Sequence, residues 1–302
     1  MQYRHSFHAG NFADVHKHVA LLALLGSLQK KPKGLLYLDT HAGGGLYDLR
    51  GDESRRGAES QSGIERLQAA TPHSSEIAGY LAAIAALRGR FDGGAHLYPG
   101  SPTPPRYSAS QHLYPGSPLL AGHALRNVDR GVCIETVAQE SRLLERTLRD
   151  AALSAAVRVE HGDGYERMGG LLPPPERRAL VLVDPPYENA DEHDRILQGL
   201  VTALTRFPTG VFAVWFPVKR QRDCDNWLAK IGRHVTRPTL AAMLWLHPRD
   251  SAVALNGSGM LIVNPPWQID AACAIWQEEL RQLLGGDGNS GSEVRWLVHE
   301  RA

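Results

Sequence analysis

Apolar positions along the chain fall into two recurring patterns. Short, nearly continuous runs rich in branched side chains have the length and composition of strands: LLYLD (35–39), GVCIE (131–135), VRVEH (157–161), ALVLVD (179–184), VFAVWF (211–216), LAAMLWL (240–246) and MLIVN (260–264). Between them lie longer stretches in which apolar residues return every three or four positions, at 14–30, 117–127, 140–152, 192–207 and 273–285, the spacing of helices. In the first of these, Asp14 is placed to cap the helix, and Val15, Val19, Leu22 and Leu25 line one face. The strand runs are apolar throughout rather than alternating, as expected for strands covered on both faces. Strands fed by helices predict an α/β fold with a doubly wound, mostly parallel sheet of seven strands.

One interval breaks this rhythm. Almost ninety residues separate LLYLDTHAGGG from GVCIET, too many for a single crossover. Within it RGAESQSGIERLQAA (56–70) and EIAGYLAAIAALRGRF (76–91) have helical spacing, so residues 48–95 read as a small helical insertion carried on a main domain formed by 1–47 and 96–302. Arg50, Arg55, Arg56, Arg66, Arg88 and Arg90 fall in or beside these helices, forming either a solvated charged face or a nucleic-acid contact. The heptad HLYPGSP then occurs twice, at 96–102 and 112–118, far below the period of a solenoid. The second copy runs directly into a helical pattern, so Ser117 rather than Ser101 is the candidate for a working helix N-terminus. Near the C-terminus GGDGNSGSE reads as a flexible connector before a last short apolar run, VRWLV.

Composition narrows the class of molecule. The 302 residues carry 43% hydrophobic and 22% charged side chains, ordinary for a globular protein, and no apolar run is long enough to span a bilayer. The first ten residues, MQYRHSFHAG, are not a signal peptide. Cys133, Cys224 and Cys273 lie far apart with no CxxC spacing, which argues against a disulfide framework or a structural metal and for a reducing, cytoplasmic setting. A net charge of +1 neither demands nor excludes nucleic acid, because binding needs a local patch rather than a basic average.

The candidate chemistry sits where a doubly wound sheet binds ligands, beyond the carboxyl ends of its strands. LLYLD leads into THAGGG, whose glycines allow a sharp bend and close approach to a ligand, though the spacing is not GxGxxG. GVCIE ends in Glu135, placed to accept from both hydroxyls of a ribose, and the next strand leads to Asp163, placed to accept from an adenine amino group. Each acid alone reads equally as a cap or turn, but their order points to an adenosine without a pyrophosphate. ALVLV then ends in Asp184-Pro185-Pro186-Tyr187. The Asp184 carboxylate and the Pro185 carbonyl can take both hydrogens of an exocyclic amine and aim its lone pair, and Tyr187 offers a flat face for a base. Beside an adenosine pocket this is the chemistry of amine methylation, as against a plain strand-ending turn. NPPW (264–267) repeats the design, with Asn264 and Trp267, but no ribose or adenine acceptor follows it, and it reads as the turn leaving the edge of the sheet.

The N-terminal stretch YRHSFHAGNFADVHKHVA holds four of the fourteen histidines. His16 and His18 are two apart and do not share a helical face, so they form no zinc pair. Lys17 lies near a helix start, where the dipole disfavours a cation. It is either an ordinary surface lysine or the partner of a carboxylate or phosphate.

YRHSFHAGNFADVHKH, LYLDTHAGGG, YPGSPLL, DGY and DPPY together closely resemble the bacterial 23S ribosomal RNA adenine-N6 methyltransferases of the J type, over nearly the whole chain. The resemblance implies a Rossmann-like class I methyltransferase with a small helical insertion, using S-adenosylmethionine and acting on 23S ribosomal RNA, expected to work as a monomer. It further implies that His18, His41, Ser117, Glu135, Asp163, Gly164 and Asp184 line the cofactor site. Tyr3, His5 and Lys17 would lie on the substrate side, Tyr3 touching the RNA, and the duplicated heptad is a departure from the family. Two other functions remain open on the residues alone. DPPY serves a DNA adenine-N6 methyltransferase equally well, which methylation of RNA but not duplex DNA would separate. A non-catalytic nucleotide-binding module would bind cofactor without transferring label.

Overall fold

The computed structural model describes residues 8–51, 59–91, 109–253, 255–285 and 288–300. Its centre is an eight-stranded sheet made of β1 (Leu36–Asp39), β4 (Arg130–Glu135), β5 (Ala156–His161), β6 (Ala179–Val183), β7 (Val211–Val218), β8 (Thr239–Trp245), β9 (Gly257–Val263) and β10 (Gly291–Val298). The order is β10-β8-β9-β7-β6-β1-β4-β5. From β7 to β5 every pairing is parallel, whereas β9 runs antiparallel to both β7 and β8, and β10 antiparallel to β8. A separate two-stranded pair joins β2 (Leu46–Asp48) to β3 (Leu113–Pro115).

This architecture is the Rossmann-like, doubly wound α/β fold expected, with three corrections. The count is eight strands rather than seven, because the stretch holding VRWLV adds an edge strand. Its residues are all half-buried, so it lacked the continuous apolar signature of the covered strands. The strand leading to NPPW is not at the edge, since β9 lies between β7 and β8. The first helix, α1 (Phe12–Gln29), begins two residues earlier than predicted, and its cap is Asn11, whose side chain accepts from the Asp14 backbone N–H at 2.8 Å. Asp14 is thereby released for another task.

The remaining helices are α2 (Glu59–Ser62), α3 (Ile64–Gln68), α4 (Ser75–Arg90), α5 (Ser117–Ala124), α6 (Ala138–Asp150), α7 (Gly164–Leu171), α8 (Glu192–Arg206), α9 (Gln221–His234) and α10 (Ile269–Leu283). Alternate strand residues face two separate cores. Tyr37, Cys133, Leu180 and Leu182 meet α1, α4, α5, α6 and α10, while Leu36, Leu38, Val132 and Val181 meet α7, α8 and α9. Ile77, Tyr80, Ile84 and Leu87 of α4 belong to the same core as Val15 and Val19 of α1. The arginines beside these helices serve the chain's own backbone: Arg66 donates to the Leu283 carbonyl, Arg88 to Leu113, and Arg90 to Ala151 and Ala152. Arg55, Arg56 and the first HLYPGSP copy with Ser101 lie outside the described residues, as do Tyr3 and His5.

The order of the chain fixes where a ligand belongs. From β1 the chain moves outward to β4 and β5, then returns to place β6 on the other side of β1. The crevice at such a reversal opens beyond the carboxyl ends of the two central strands.

Candidate active site

The tips of those two strands carry acids. Asp39 ends β1 and Asp184 follows β6, its neighbour. Asp39 is fully buried; its Oδ2 accepts from the Tyr37 hydroxyl at 2.8 Å and from Ser117 Oγ at 2.7 Å. Burial raises its carboxyl to about 6, against the pull of those two hydroxyls, and the charge of Asp184 adds to the rise. Asp184 Oδ2 accepts from Lys17 Nζ at 2.6 Å, and the same ammonium reaches Asp14 Oδ1 at 2.7 Å. Of the readings left open for Lys17, an ordinary surface lysine or the partner of a carboxylate or phosphate, the structure shows a buried partner of two carboxylates. Burial alone would push the Lys17 ammonium down, but Asp14 and Asp184 outweigh it and hold the group firmly cationic. Asp14 Oδ2 also accepts the Gly10 N–H, which ties the residues before α1 to the same cluster.

The loop after β1 is built to bend. Gly43 and Gly45 take φ +64° and +80°, where a side chain would be strained. Glu135 at the end of β4 fixes this loop: one carboxylate oxygen accepts from Gly43 N at 2.8 Å, the other from Val137 N at 2.7 Å. Each oxygen keeps a further lone pair for an outside donor. In the same loop Thr40 gives its hydroxyl hydrogen to the Leu182 carbonyl, so His41 Nδ1, 2.8 Å from that hydroxyl, carries the proton between them. Burial lowers His41 to about 4, leaving it neutral with Nε2 as an acceptor. Its ring meets Tyr165 edge-on at 5.0 Å.

Asp163 caps α7, accepting from Tyr165 N and Glu166 N through Oδ1 and from Arg195 through Oδ2. Burial would raise its carboxyl, yet these donors hold it below the usual carboxylate range. Gly164 has no room for a side chain, since a Cβ there would stand 2.0 Å from the Thr40 carbonyl oxygen. The α7 N-terminus and the β1 loop thus touch backbone to backbone, placing Asp163 beside His41. Tyr165, which the sequence did not single out, donates to Glu192 at 2.7 Å and lies under the Arg195 guanidinium.

The DPPY turn is anchored at both ends. Tyr187 takes φ +54°, uncommon for an aromatic residue, and its hydroxyl donates to the Trp215 carbonyl of β7 at 2.7 Å. Its ring meets Trp215 edge-on at 5.5 Å and His193 at 5.3 Å. Trp215 is held in turn by Ser258, which takes its indole N–H at 2.9 Å and meets His16 Nδ1 at 2.9 Å. Among the described residues no donor meets the Pro185 carbonyl. NPPW lies at the opposite end of the sheet, because β9 runs antiparallel to β6 and β7 and Val263 pairs with Phe212 near the start of β7. Asn264, at φ +53°, spends its amide on the Pro208 and Gly210 carbonyls.

His16 and His18 point to different neighbours, as their spacing required: His18 Nδ1 meets the Tyr114 hydroxyl at 2.8 Å, within the α4–α5 side of α1. Ser117 is the first residue of α5 and reaches Asp39 directly. Asp39, Asp14 and Trp215 are the functional candidates that the sequence reading missed.

The donor and acceptor chemistry fits an S-adenosylmethionine-type ligand. A nucleoside presents hydroxyl and amino donors, which Glu135, Asp163 and the neutral His41 can receive. Asp39 and Asp184 stand on neighbouring strand tips, close enough that the charge of Asp184 raises the Asp39 carboxyl, an acidic setting that suits a cationic sulfonium. Among the described residues no group of three or more His, Cys, Asp or Glu side chains could hold a metal, and no helix is long and apolar enough to cross a membrane.

Known proteins are similar to this chain. Residues 32–112 and 105–298 match the family model described as "Ribosomal RNA large subunit methyltransferase D, RlmJ". The ribosomal RNA large subunit methyltransferase J of Haemophilus influenzae is 34% identical over 302 residues, covering 99% of this chain and all of that protein. The protein of the same name from Escherichia coli is 32% identical over 300 residues, with 99% and 100% covered. A crystal structure of a Legionella pneumophila protein superposes with a TM-score of 0.79 at 30% identity, over 95% of this chain and 98% of that one.

Proposed function

Because the chain belongs to the RlmJ family of ribosomal RNA large subunit methyltransferases, we propose that it transfers a methyl group from S-adenosylmethionine to N6 of one adenosine in 23S ribosomal RNA. The observation that carries the reading is the DPPY turn standing at the strand reversal, with Asp184 on the tip of β6 beside Asp39 on the tip of β1.

When bound, S-adenosylmethionine supplies a methyl group made electrophilic by its sulfonium. Glu135 would accept from its ribose hydroxyls, Asp163 and His41 would border its adenine, and the close contact at Gly164 keeps the β1 loop and the start of α7 together beside them. Ser117 and Asp39, hydrogen-bonded to each other, would lie toward its methionine part, with His18 behind them, held by Tyr114.

The target adenosine leaves its stack, at a cost of a few kcal/mol that an unpaired region reduces. Tyr187 then receives the base on its face, worth about 1–3 kcal/mol. Asp184 and the Pro185 carbonyl take the two amine hydrogens, which directs the nitrogen lone pair and strengthens as positive charge develops on nitrogen. Lys17 stays an ammonium through this step. It orients the Asp184 carboxylate by occupying Oδ2, and Asp14 keeps it there. Tyr3 and His5 complete the RNA side in this reading.

Purified protein incubated with labelled methyl donor and unmodified 23S ribosomal RNA tests the proposal, with duplex DNA as the competing substrate. Label at N6 of a single adenosine in the RNA is expected. Folded, donor-binding protein that labels no RNA, or labels DNA instead, overturns it.

A further inference from the structure

Beyond the pocket, the carboxyl edge of the sheet carries a cationic surface that the reaction as described leaves without a task. β7 ends three residues past Trp215 at Val218, Lys219 and Arg220 follow it, and Arg222 lies in the first turn of α9; all three cations are exposed. Arg249, in the connection from β8 to β9, lays its guanidinium over the Trp245 ring, 4.2 Å from the centroid. Val218, Trp245 and Gly257 stand level across β7, β8 and β9, so both connections emerge on the same edge as Asp184.

The two connections are fastened to each other. Asp250 N and Asn256 Nδ2 both donate to the Lys219 carbonyl, at 3.1 and 2.7 Å, and Gln221 N donates to Asp250 Oδ1 at 2.9 Å. The result is a built platform rather than loose loops. Among the described residues none of Lys219, Arg220, Arg222 and Arg249 makes an ion pair, in contrast to Lys17, Arg130, Arg195, Arg281 and Arg295. Within residues 219–225 and 246–256 the carboxylates do not balance them: Asp225 is matched by Arg295 and Asp250 holds Gln221 N, leaving four cations against Asp223 and Asp250.

We propose that Lys219, Arg220, Arg222 and the Arg249–Trp245 stack form a docking surface for the sugar–phosphate strand of RNA flanking the target adenosine. The proposal rests on the RNA methyltransferase reading above and adds to it where the substrate lies. Four unpaired cations on one tethered surface complement a polyanion, and the stacked guanidinium is held ready for a phosphate or a base. The distance suits a flanking strand. Val183 pairs with Val214, so Lys219 lies roughly 13 Å further along the strand direction than Trp215, outside the pocket yet on its rim.

The test compares the parent with the variant Lys219→Gln/Arg220→Gln/Arg222→Gln/Arg249→Gln, measuring binding of transcribed 23S ribosomal RNA across potassium chloride concentrations, together with KM and kcat. The log–log salt slope is expected to become shallower by roughly 3, and the KM for RNA to rise about tenfold or more. The affinity for S-adenosylmethionine and kcat at saturating RNA should stay within about twofold. A charge-keeping variant, Lys219→Arg/Arg220→Lys/Arg222→Lys, should retain the parent slope. Arg233→Gln/Arg237→Gln, at the opposite end of the sheet, should be silent. An unchanged slope in the first variant overturns the proposal and leaves the patch to an acidic protein surface; so does an equal loss in either of the other two. A parent that binds RNA through this surface but labels none would sink the functional reading alone.

Discussion

Lys17 Nζ sits 2.6 Å from Asp184 Oδ2 with its side chain only 4% exposed, although the two residues are 167 positions apart. The ammonium of the first helix is thus a buried counter-ion to the acid of the DPPY turn. Asp14, one helical turn before Lys17, shares it.

Removing this ammonium should damage stability and chemistry together. Lys17→Met takes the ammonium away from the Asp14 and Asp184 carboxylates, and breaking a buried pair costs about 3–5 kcal/mol. Urea unfolding should show that loss. Asp14→Asn in the Lys17→Met background should recover part of it, because one of the two carboxylates that shared the ammonium loses its charge. A double variant as unstable as the sum of the singles would show that the three groups do not act as a cluster.

The buried Asp39 should make stability depend on acidity in an uncommon direction. Its carboxyl rises from an ordinary 3.8 to about 6 in the folded chain. Between those values the folded state holds a proton that the unfolded state has released, so this group's contribution falls as pH rises through the window. It is complete below about pH 4 and absent above about pH 6, and amounts to at most about 3 kcal/mol. Asp39→Asn should flatten the pH dependence of urea unfolding between pH 4 and 6. A carboxyl-carbon NMR titration of Asp39 in the parent should give a midpoint near 6, lowered by S-adenosylmethionine and not by neutral methylthioadenosine. A midpoint near 4 without ligand would contradict the burial argument.

The phenol and the ring of Tyr187 should separate by substitution. Tyr187→Phe loses one hydrogen bond to the Trp215 carbonyl, about 1 kcal/mol, and leaves the stacking face. Tyr187→Ala removes the face as well, and should lower kcat/KM for RNA by a further factor of about 5 to 150. Binding of S-adenosylmethionine, measured calorimetrically, should be close to the parent in both. Equal activity in the alanine and phenylalanine variants would exclude a stacking role.

The two PP turns show how far sequence reaches. DPPY and NPPW share the proline pair, a closing aromatic residue, length and a preceding apolar strand, and nothing local separates the candidate site turn from a structural one. Strand direction does: β9 is antiparallel, so Asn264 emerges at the amino edge and satisfies the Pro208 and Gly210 carbonyls. Glu135, Asp163 and Asp184 were legible as candidates because each lies at or within two residues of the end of its own strand, and strand ends are where this fold binds ligands. The Lys17–Asp184 pair was legible only as half of a pair, since the two residues are 167 positions apart in the chain. Trp215 was hidden for another reason: it holds Tyr187 through a backbone carbonyl, which no side-chain pattern records. Accordingly Asn264→Ala should lower thermal stability, by about 1–3 kcal/mol for two unsatisfied carbonyls, with RNA methylation unchanged at temperatures where the variant is folded. Trp267→Ala, at a side chain 78% exposed, should change neither.

The contact between the N-terminal segment and α2–α3 offers a last test, because one missing methyl group holds it closed. Gly63 lies against the backbone of residues 10 and 11: a Cβ there would stand 2.1 Å from the Gly10 oxygen and 2.8 Å from the Asn11 Cα. Around it, Ile64 N donates to that same Gly10 oxygen, and Glu59 receives both Asn11 Nδ2 and the His8 ring. Asn11 is also the cap of α1, and Gly10 N is bound by Asp14, which holds Lys17. Gly63→Ala must therefore push residues 8–11 away from α3, and the displacement reaches the Asp184 counter-ion through three consecutive contacts. Overpacking of this kind costs about 1–3 kcal/mol. Methylation should fall by more than that stability loss explains at temperatures where the protein is folded, and more in kcat than in donor affinity. Gly79→Ala is the control: it sits on an exposed face of α4 with nothing within 4 Å, and should stabilise the helix by up to about 1 kcal/mol without affecting activity. If Gly63→Ala kept full kcat while losing stability, the close contact would be packing alone, with no coupling from α2–α3 through α1 to Asp184.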